Sequence, residues 1–369
     1  MRFVIFTHSL VSDWNHGNAH FLRGIATELL EAGHEVRIFE PANGWSLANL
    51  IADRGPAAIG EFGCAYPQLR SRLYDEAVLD PARVLNGADV AIVHEWNSHD
   101  LVRRIGEYRA DHPELRLYFH DTHHRAMTDP DAMSRYDLRH YDGVLAYGGV
   151  IRDLYLRNQW TKSAWTWHEA ADTRMFHPIP GVEPEGDLVW VGNWGDGERS
   201  EEIREFLIEP VRALRLRARV YGVRYPAHAI EMLKAAGIEY AGSLANYHVP
   251  QVFSRFRMTV HIPRRPYAQA LAGIPTIRPF EALACGIPLV SAPWNDAEHL
   301  FRPEKDFLFA RDTHEMADCL QSVLEDSSLA LGLAASGLQT ILDRHTCAHR
   351  AAELLSIVRS HNKAAVQGR

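Results

Sequence analysis

Short apolar runs alternate with amphipathic helical stretches in two successive series along this chain, and that rhythm restricts the fold more than any other feature. The first series opens with an apolar strand, Arg2–Thr7, and a polar loop, Ser12–Asn18. A helix follows from about Ala19 to Ala32, with Phe21, Leu22, Ile25 and Leu29 at helical spacing, and Gly33-His34 stops it before a strand at Glu35–Glu40. A right-handed crossover of this kind requires a parallel sheet, and the loop after the first strand lies at its carboxyl edge, where open α/β sheets bind ligands. Strands at Ala88–His94, Leu115–Phe119 and Gly143–Tyr147 continue the series, with helices at Asn97–Arg109 and Gly149–Arg157. The Gly-, Ala- and Pro-rich stretch Pro41–Arg83 reads as short helices and loops.

Three prolines and two glycines between Asp172 and Gly186 mark a linker, after which the alternation restarts. Strands are expected at Asp187–Val191, Arg219–Val223, Ile238–Ala241, Met258–Ile262 and Ile287–Ser291. Helices are expected at Ser200–Leu214, Ala227–Ala236, Tyr247–Phe256, Asp296–Phe301 and His314–Leu324. Two last helices, Leu329–Arg344 and Cys347–Ser360, leave a polar tail expected to be disordered. The fold class is thus α/β, with two Rossmann-like, doubly wound parallel-sheet domains. Residues 1–172 form the N-terminal domain, 173–186 the linker, 187–345 the C-terminal domain, and 346–369 a C-terminal helix and tail. Ligand is expected in the cleft where the two carboxyl edges face each other.

A length of 369 residues suffices for two domains with separate cores. A net charge of -8, with no extended basic stripe, argues against nucleic acid as a main partner. The four cysteines lie far apart, giving no metal knuckle or disulfide framework and suiting a reducing compartment. Met1–His8 lacks a signal-peptide h-region, and no window reaches the roughly 20 apolar residues of a membrane span. A cytoplasmic location is therefore expected.

The most informative stretch is Gly273–Pro288. Gly273 and Pro275 keep the loop out of helix, Thr276 stands at a helix start, Pro279 suits a first turn, and Gly286 ends the helix. Phe280, Leu283 and Ala284 share the apolar face. Glu281 falls in the first turn on the other face, near any anion held by the helix N-terminus. Backbone donors beside a carboxylate suit a sugar nucleotide, with the diphosphate on the donors and the ribose hydroxyls on the acceptor. An ordinary capped helix is the alternative reading of this stretch taken alone.

Several motifs occur together in order: Trp167-His-Glu-Ala-Ala-Asp172 through Phe176 and Pro178; Val191-Gly192-Asn193 followed by Arg199; Tyr221-Gly222; Gly242-Ser243-Leu244 with Tyr247 and Phe253; and Phe280-Glu-Ala-Leu-Ala-Cys-Gly-Ile-Pro288. In this order they resemble the nucleotide-sugar half of GT-B glycosyltransferases of the retaining group-1 type, and the Gly17 loop and Gly33–Val36 extend the likeness more loosely into the first half. The resemblance departs from the common pattern at Gly273, where the family has a Glu that contacts the donor sugar, at Asn193, where it has Arg, and at Arg199, where it has Lys. With Gly-x-Pro-Thr-x-Arg ahead of Phe280, these departures look like the CgeB-like branch.

The resemblance implies a retaining, hexosyltransferase-type enzyme acting on a nucleoside-diphosphate sugar, by default a UDP-sugar, and an unidentified acceptor. No cofactor and no metal are implied. His120, Arg199 and Glu281 would be the catalytic residues, with Arg199 forking the diphosphate. The donor contacts would be Gly17, Asn18, Gly192, Asn193, Tyr221, Gly222, Gly273, Pro275, Thr276, Ile277 and Glu281, with Thr276 and Ile277 supplying backbone N–H groups. His20, His94 and Asp121 would be acceptor contacts. The run His120-Asp121-Thr122-His123-His124 could also suggest a metal-dependent hydrolase, but its spacing is not that of a helical metal site. Two further alternatives are a nucleotide-sugar epimerase of the same fold and a catalytically silent nucleotide-sugar-binding protein. Oligomeric state, donor sugar and acceptor are not legible in the sequence.

Overall fold

The computed structural model describes residues 1–367, with side chains through residue 360. It divides into two compact units: Met1–Glu169 together with the last helix, Cys347–Gln367, and Ala170–Thr346. Each is built on one sheet in which all the strand pairs are parallel.

The first sheet contains β1 (Arg2–Phe6), β2 (Glu35–Pro41), β3 (Ser71–Tyr74), β4 (Val90–His94), β5 (Arg116–Asp121), β6 (Gly143–Ala146) and β7 (Ala164–Thr166), in the order β3-β2-β1-β4-β5-β6-β7. Phe3 through Phe6 are all buried between β2 and β4, which explains why β1 reads as an unbroken apolar run rather than an alternating one. The helix Ala19–Glu31 buries Phe21, Ile25 and Leu29. It ends in a Schellman motif: Gly33, at φ 79°, donates to Leu30 O, and His34 N donates to Leu29 O. The last helix of the chain packs on this helix, and Trp167 Nε1 donates to Arg350 O within it.

The second sheet contains β8 (Gly186–Val191), β9 (Ala218–Tyr221), β10 (Ile238–Tyr240), β11 (Phe256–His261), β12 (Leu289–Ser291) and β13 (Leu308–Phe309), in the order β10-β9-β8-β11-β12-β13. Its core includes Leu188, Trp190, Val220, Met258, Val260 and Val290, closed by helices over Ile203–Val211 and Met316–Val323. In both sheets the strand order reverses beside the first strand of the unit. The two switch points, β1/β4 and β8/β11, are therefore where the loops open a crevice at the carboxyl edge.

Several local expectations need correction. Pro41–Arg83 contains a strand, β3, besides the helices Trp45–Arg54, Ala57–Ala65 and Pro81–Leu85. The segment Ser200–Leu214 is helical throughout, but Arg204–Ile208 is π-helical just ahead of Pro210, whose missing N–H interrupts the ordinary ladder. Asp296–Phe301 is a turn rather than a helix. His299 is left-handed there at φ 53°, and the Asp296 carboxylate accepts from Leu300 N and Phe301 N. The final helix, expected to end near Ser360, runs to Gln367; what was expected of residues 368 and 369 lies outside the described residues.

At the second switch point two glycines allow the backbones after β8 and β9 to touch. A Cβ on Gly222 would lie 2.1 Å from the Gly192 carbonyl oxygen, and a Cβ on Gly192 would lie 2.5 Å from the Trp190 ring. Gly222→Ala should therefore cost about 1–3 kcal/mol in urea unfolding, the usual penalty of overpacking where the obstruction is rigid. A variant as stable as the wild type would show that these loops do not hold each other in place.

Candidate functional site

The crevice at β8/β11 is assembled from the loops that follow those strands. Tyr221 closes β9 opposite Val191, and its carbonyl accepts from Gly192 N. Asn193 Oδ1 accepts from Val223 N at 2.9 Å. Tyr225 OH donates to Gly192 O and Tyr240 OH to Gly222 O, each at 2.9 Å. The structure thus brings Gly192, Asn193, Tyr221 and Gly222, all singled out from the sequence, into one braced group.

Arg199 anchors this group. Its Nε and Nη2 donate to Asn193 O at 3.1 and 2.6 Å, and Nη1 donates to Ile262 O at 3.1 Å, so one guanidinium ties the loop after β8 to the loop after β11. It lies over the Trp190 ring with its carbon 5.1 Å from the centroid. Gly195, left-handed at φ 90°, lets its stem in, since a Cβ there would lie 2.7 Å from Arg199 Cγ. Among the described residues no carboxylate forms a salt bridge with Arg199, whereas Arg264 pairs with Glu198 and Arg278 with Glu281. Burial, reinforced by the positive charges of Arg264 and Arg278, pulls its pKa down to about 9. A half-buried cation held by carbonyls alone, with two other arginines nearby, makes this crevice receptive to an anion.

The helix expected near Gly273–Pro288 is Ile277–Ala284. Thr276 precedes it at φ 64°, a costly conformation for a β-branched residue, and its hydroxyl makes no capping hydrogen bond. The N–H groups of Thr276 and Ile277 have no acceptor among the described residues. Ile277 and Pro279 are buried, as is Glu281. The Glu281 side chain is therefore not on an open helix face. Its Oε1 accepts from Asn246 Nδ2 at 2.6 Å, and its Oε2 pairs with Arg278. Asn246 escaped the sequence reading, and Arg278 entered it only as the last residue of Gly-x-Pro-Thr-x-Arg with no role assigned, although the i, i+3 spacing of Arg278 and Glu281 was a usable signal.

Gly273, left-handed at φ 88°, donates its N–H to Asn295 O at 2.7 Å. A Cβ at this position would lie 2.6 Å from both Cγ and Oε1 of Glu298, so the Glu298 carboxylate lies directly over the backbone where the sequence pattern lacks one. Nothing near Glu298 in the sequence signals this. Pro275 follows in the same loop. His261, at the end of β11, shares a hydrogen bond between its Nδ1 and Ser291 Oγ at 2.9 Å. Burial, aided by Arg199 and Arg278, pushes it down to about 3.

A second polar group occupies the carboxyl edge of the first sheet. Asn18 precedes the helix Ala19–Glu31 but does not cap it. Its Nδ2 instead lies 3.0 Å from His94 Nε2 and 2.7 Å from Thr122 Oγ1, joining the loops after β1 and β5 to the end of β4. His94 and His120 stand opposite each other on adjacent strands, and with Thr7, His16 and Asn18 they line a small cavity. Burial pushes His120 down to about 3 and His94 well below the ordinary imidazole value, so both are neutral near pH 7.

The other sequence candidates here sit differently. Gly17 is exposed, and the left-handed residue of its loop is Asn15, at φ 49°. His20 is fully buried on the helix. Asp121 is fully buried as well, its Oδ1 accepting from His123 N at 3.0 Å and its Oδ2 from Tyr155 OH at 2.9 Å. Behind it, burial raises the pKa of both Asp121 and Glu95, and Glu95 pairs with Arg125. Among the described residues no group of three or more His, Cys, Asp or Glu side chains is arranged to hold a metal ion, and no helix is long and apolar enough to cross a membrane.

Residues 199–356 match the family model described as Glycosyl transferase-like. Among solved structures, a sucrose-phosphate synthase from Thermosynechococcus elongatus superposes with a TM-score of 0.67 at 14% identity, covering 99% of this chain and 100% of that one. The Anabaena protein HepE, solved in complex with UDP and glucose, gives 0.67 at 13% identity over 98% and 100%. An alpha-glucosyltransferase in complex with UDP and DNA gives 0.70 at 12% identity over 97% and 99%. The fold is GT-B. No curated protein matches the sequence. At these identities the GT-B likeness speaks for architecture, and the chemistry rests on the residues described above.

The buried neutral histidines give a pH signature. Above pH 6.5 folded and unfolded chains both keep His120 neutral. Below it the unfolded chain binds a proton that the folded chain refuses until about pH 3. Stability therefore falls with pH through this window, by about 2 kcal/mol for one such group at pH 5. Melting temperature should drop between pH 7 and 5, and less so in His120→Gln; an unchanged slope in the variant would remove His120 as a contributor.

Proposed function

We propose that this chain is a glycosyltransferase that moves a hexose from a nucleoside diphosphate, by preference UDP, to an acceptor hydroxyl with retention of anomeric configuration. The single observation that carries this reading is Arg199, a half-buried guanidinium with no carboxylate salt bridge among the described residues, wired to the carbonyls of Asn193 and Ile262 at the switch point of the second sheet. Its remaining N–H groups, with the backbone donors of Thr276 and Ile277, suit the oxygens of a diphosphate. The Glycosyl transferase-like match over residues 199–356 begins at this arginine, and three GT-B structures of the same topology are solved with UDP bound.

In the reaction the bond from the anomeric carbon to the diphosphate oxygen breaks, a glycosidic bond forms to the acceptor oxygen, and the acceptor's proton leaves with the nucleoside diphosphate. Arg199 and the helix N-terminus stabilise the negative charge that grows on the leaving group, which is the main electrostatic demand of such a step. Glu281, ionically paired and buried, holds Arg278 at the mouth of the same helix. The Glu298 carboxylate over Gly273 supplies an acceptor for sugar hydroxyls from a loop other than the one the group-1 pattern uses. Neutral His120 is suited to donate or accept a hydrogen bond at a hydroxyl rather than to pair with an anion. The reading places the chain in the CgeB-like branch, and the epimerase and silent-binder alternatives are not favoured by the comparisons.

Thermal shift against UDP, GDP, ADP and TDP tests the donor site. A nucleotide at 100 times its Kd should add about 2.7 kcal/mol of stability, and no shift with any of the four would overturn the assignment. Arg199→Met should keep the fold and weaken nucleotide binding by about 1.5–3 kcal/mol, roughly 10- to 100-fold. Transfer should be unaffected by chelator, since Arg199 and backbone donors meet the diphosphate charge; loss of turnover in EDTA would show that a metal takes that role. Proton NMR of the product should show the donor's anomeric configuration.

A further inference from the structure

The strand β3 ends the strand order of the first sheet and pairs with β2 alone. Leu73 within it is 57% exposed, and Val78, shortly after it, is 78% exposed; among the described residues of the first unit these are the most exposed large apolar side chains. Open sheet edges are ordinarily blunted by proline, lysine, a bulge or a covering element. β3, Ser-Arg-Leu-Tyr, has neither proline nor lysine, and its register with β2 runs without a bulge. Its one charged residue, Arg72, lies over the Phe39 ring of β2, 5.8 Å from the centroid, and so does not guard the edge.

The direction of the backbone is fixed by Ala42 N, which donates to Tyr74 O at 2.8 Å. Tyr74 therefore aims its main-chain groups at β2, and alternation along the strand turns the N–H and C=O of Ser71 and Leu73 outward. Charge flanks this open row. Arg70 is exposed and Glu76 half-buried, three residues to either side of Leu73. Arg70 Nη1 donates to Leu69 O and Glu76 accepts from Ser98 Oγ, and among the described residues neither forms a salt bridge. A strand that runs basic, apolar, acidic is complementary to its own antiparallel copy. With a two-fold axis through Leu73, Arg70 falls opposite Glu76, Ser71 opposite Asp75, and Leu73 opposite its own equivalent, with which it exchanges N–H···O=C bonds. A register shifted by two residues in one direction sets Arg72 against its own equivalent, and in the other sets Leu73 against Asp75. Any extended segment can take the backbone bonds, but the order of charges selects a second copy of this chain.

We infer that β3 is a self-association edge, pairing antiparallel with β3 of a second copy so that the two first sheets run on as one. The inference does not rest on the glycosyltransferase reading. Four residues cover much less area than a permanent dimer buries, so the association is weak and concentration-dependent.

Sedimentation equilibrium of the full chain over roughly 2–500 µM should show a reversible monomer–dimer equilibrium with a Kd of about 10–100 µM. Leu73→Lys, which sets two ammonium groups against each other at the two-fold axis, should weaken it by more than about tenfold. Arg70→Glu and Glu76→Lys each place like charges at two symmetric positions, and each alone should weaken association by roughly tenfold. Mixed in equal amounts, these two variants regain opposite charges at both positions and should form a heterodimer with a Kd close to that of the wild type, which also shows that both fold. A chain that stays monomeric throughout the range would overturn the inference and leave the edge to a strand of another protein or to solvent. A dimer that Leu73→Lys leaves intact, or a mixture no more associated than its two components, would overturn it equally.

Discussion

The crevice of the second unit, though not its fold, depends on one guanidinium. Arg199 is the fastener between the loops after β8 and β11, and it holds them by their carbonyls rather than by a carboxylate. A carboxylate partner would have neutralised the charge and left a crevice indifferent to anions. Carbonyl partners keep the geometry and leave the charge in place. The glycines at 192, 195 and 222 follow from this arrangement, because each removes a side chain that would push the loops or the arginine stem apart. Strain at Thr276 belongs to the same economy of space, since a left-handed residue there turns the chain sharply into the helix it starts.

The first unit solves a different problem at the equivalent edge. There the groups are neutral imidazoles, an amide and hydroxyls, linked through Asn18, His94 and Thr122. Burial keeps the rings uncharged, so this edge presents neutral hydrogen-bonding groups while the other presents charge. The acidic pair Glu95 and Asp121 lies behind it, with Glu95 on Arg125 and Asp121 on Tyr155, in a supporting position.

How much of this could be read from residues alone varies with the physics of each element. Strands buried on both faces, such as β1 and β11, announce themselves as apolar runs, and their loops locate both crevices. The edge and terminal strands do not: β3 shows two exposed residues among four, β7 is only partly buried, and β13 has two residues. Asp296–Phe301 carries a helix-like Leu300-Phe301 pair, but a left-handed His299 makes it a turn. Arg199, Gly192 and Gly222 were legible through their order in the loop motifs, whereas Gly195 was not, since its role is to admit the Arg199 stem. Asn18 was legible as a loop residue near a helix start, but not as a link to His94 and Thr122, since such long-range bonds leave no local spacing.

Gly273 and Glu298 act as a matched pair. The absence of a side chain at one is the condition for the carboxylate at the other, because any Cβ at 273 would evict Glu298 from its seat. Among related chains the two positions should therefore exchange character together, an acidic residue at the first accompanying a small or retracted one at the second. A pattern that inspects only the loop before the helix would score this chain as lacking a carboxylate. Inspected in space, a carboxylate from a neighbouring loop lies over the same backbone, so a missing motif residue is not a missing acidic group.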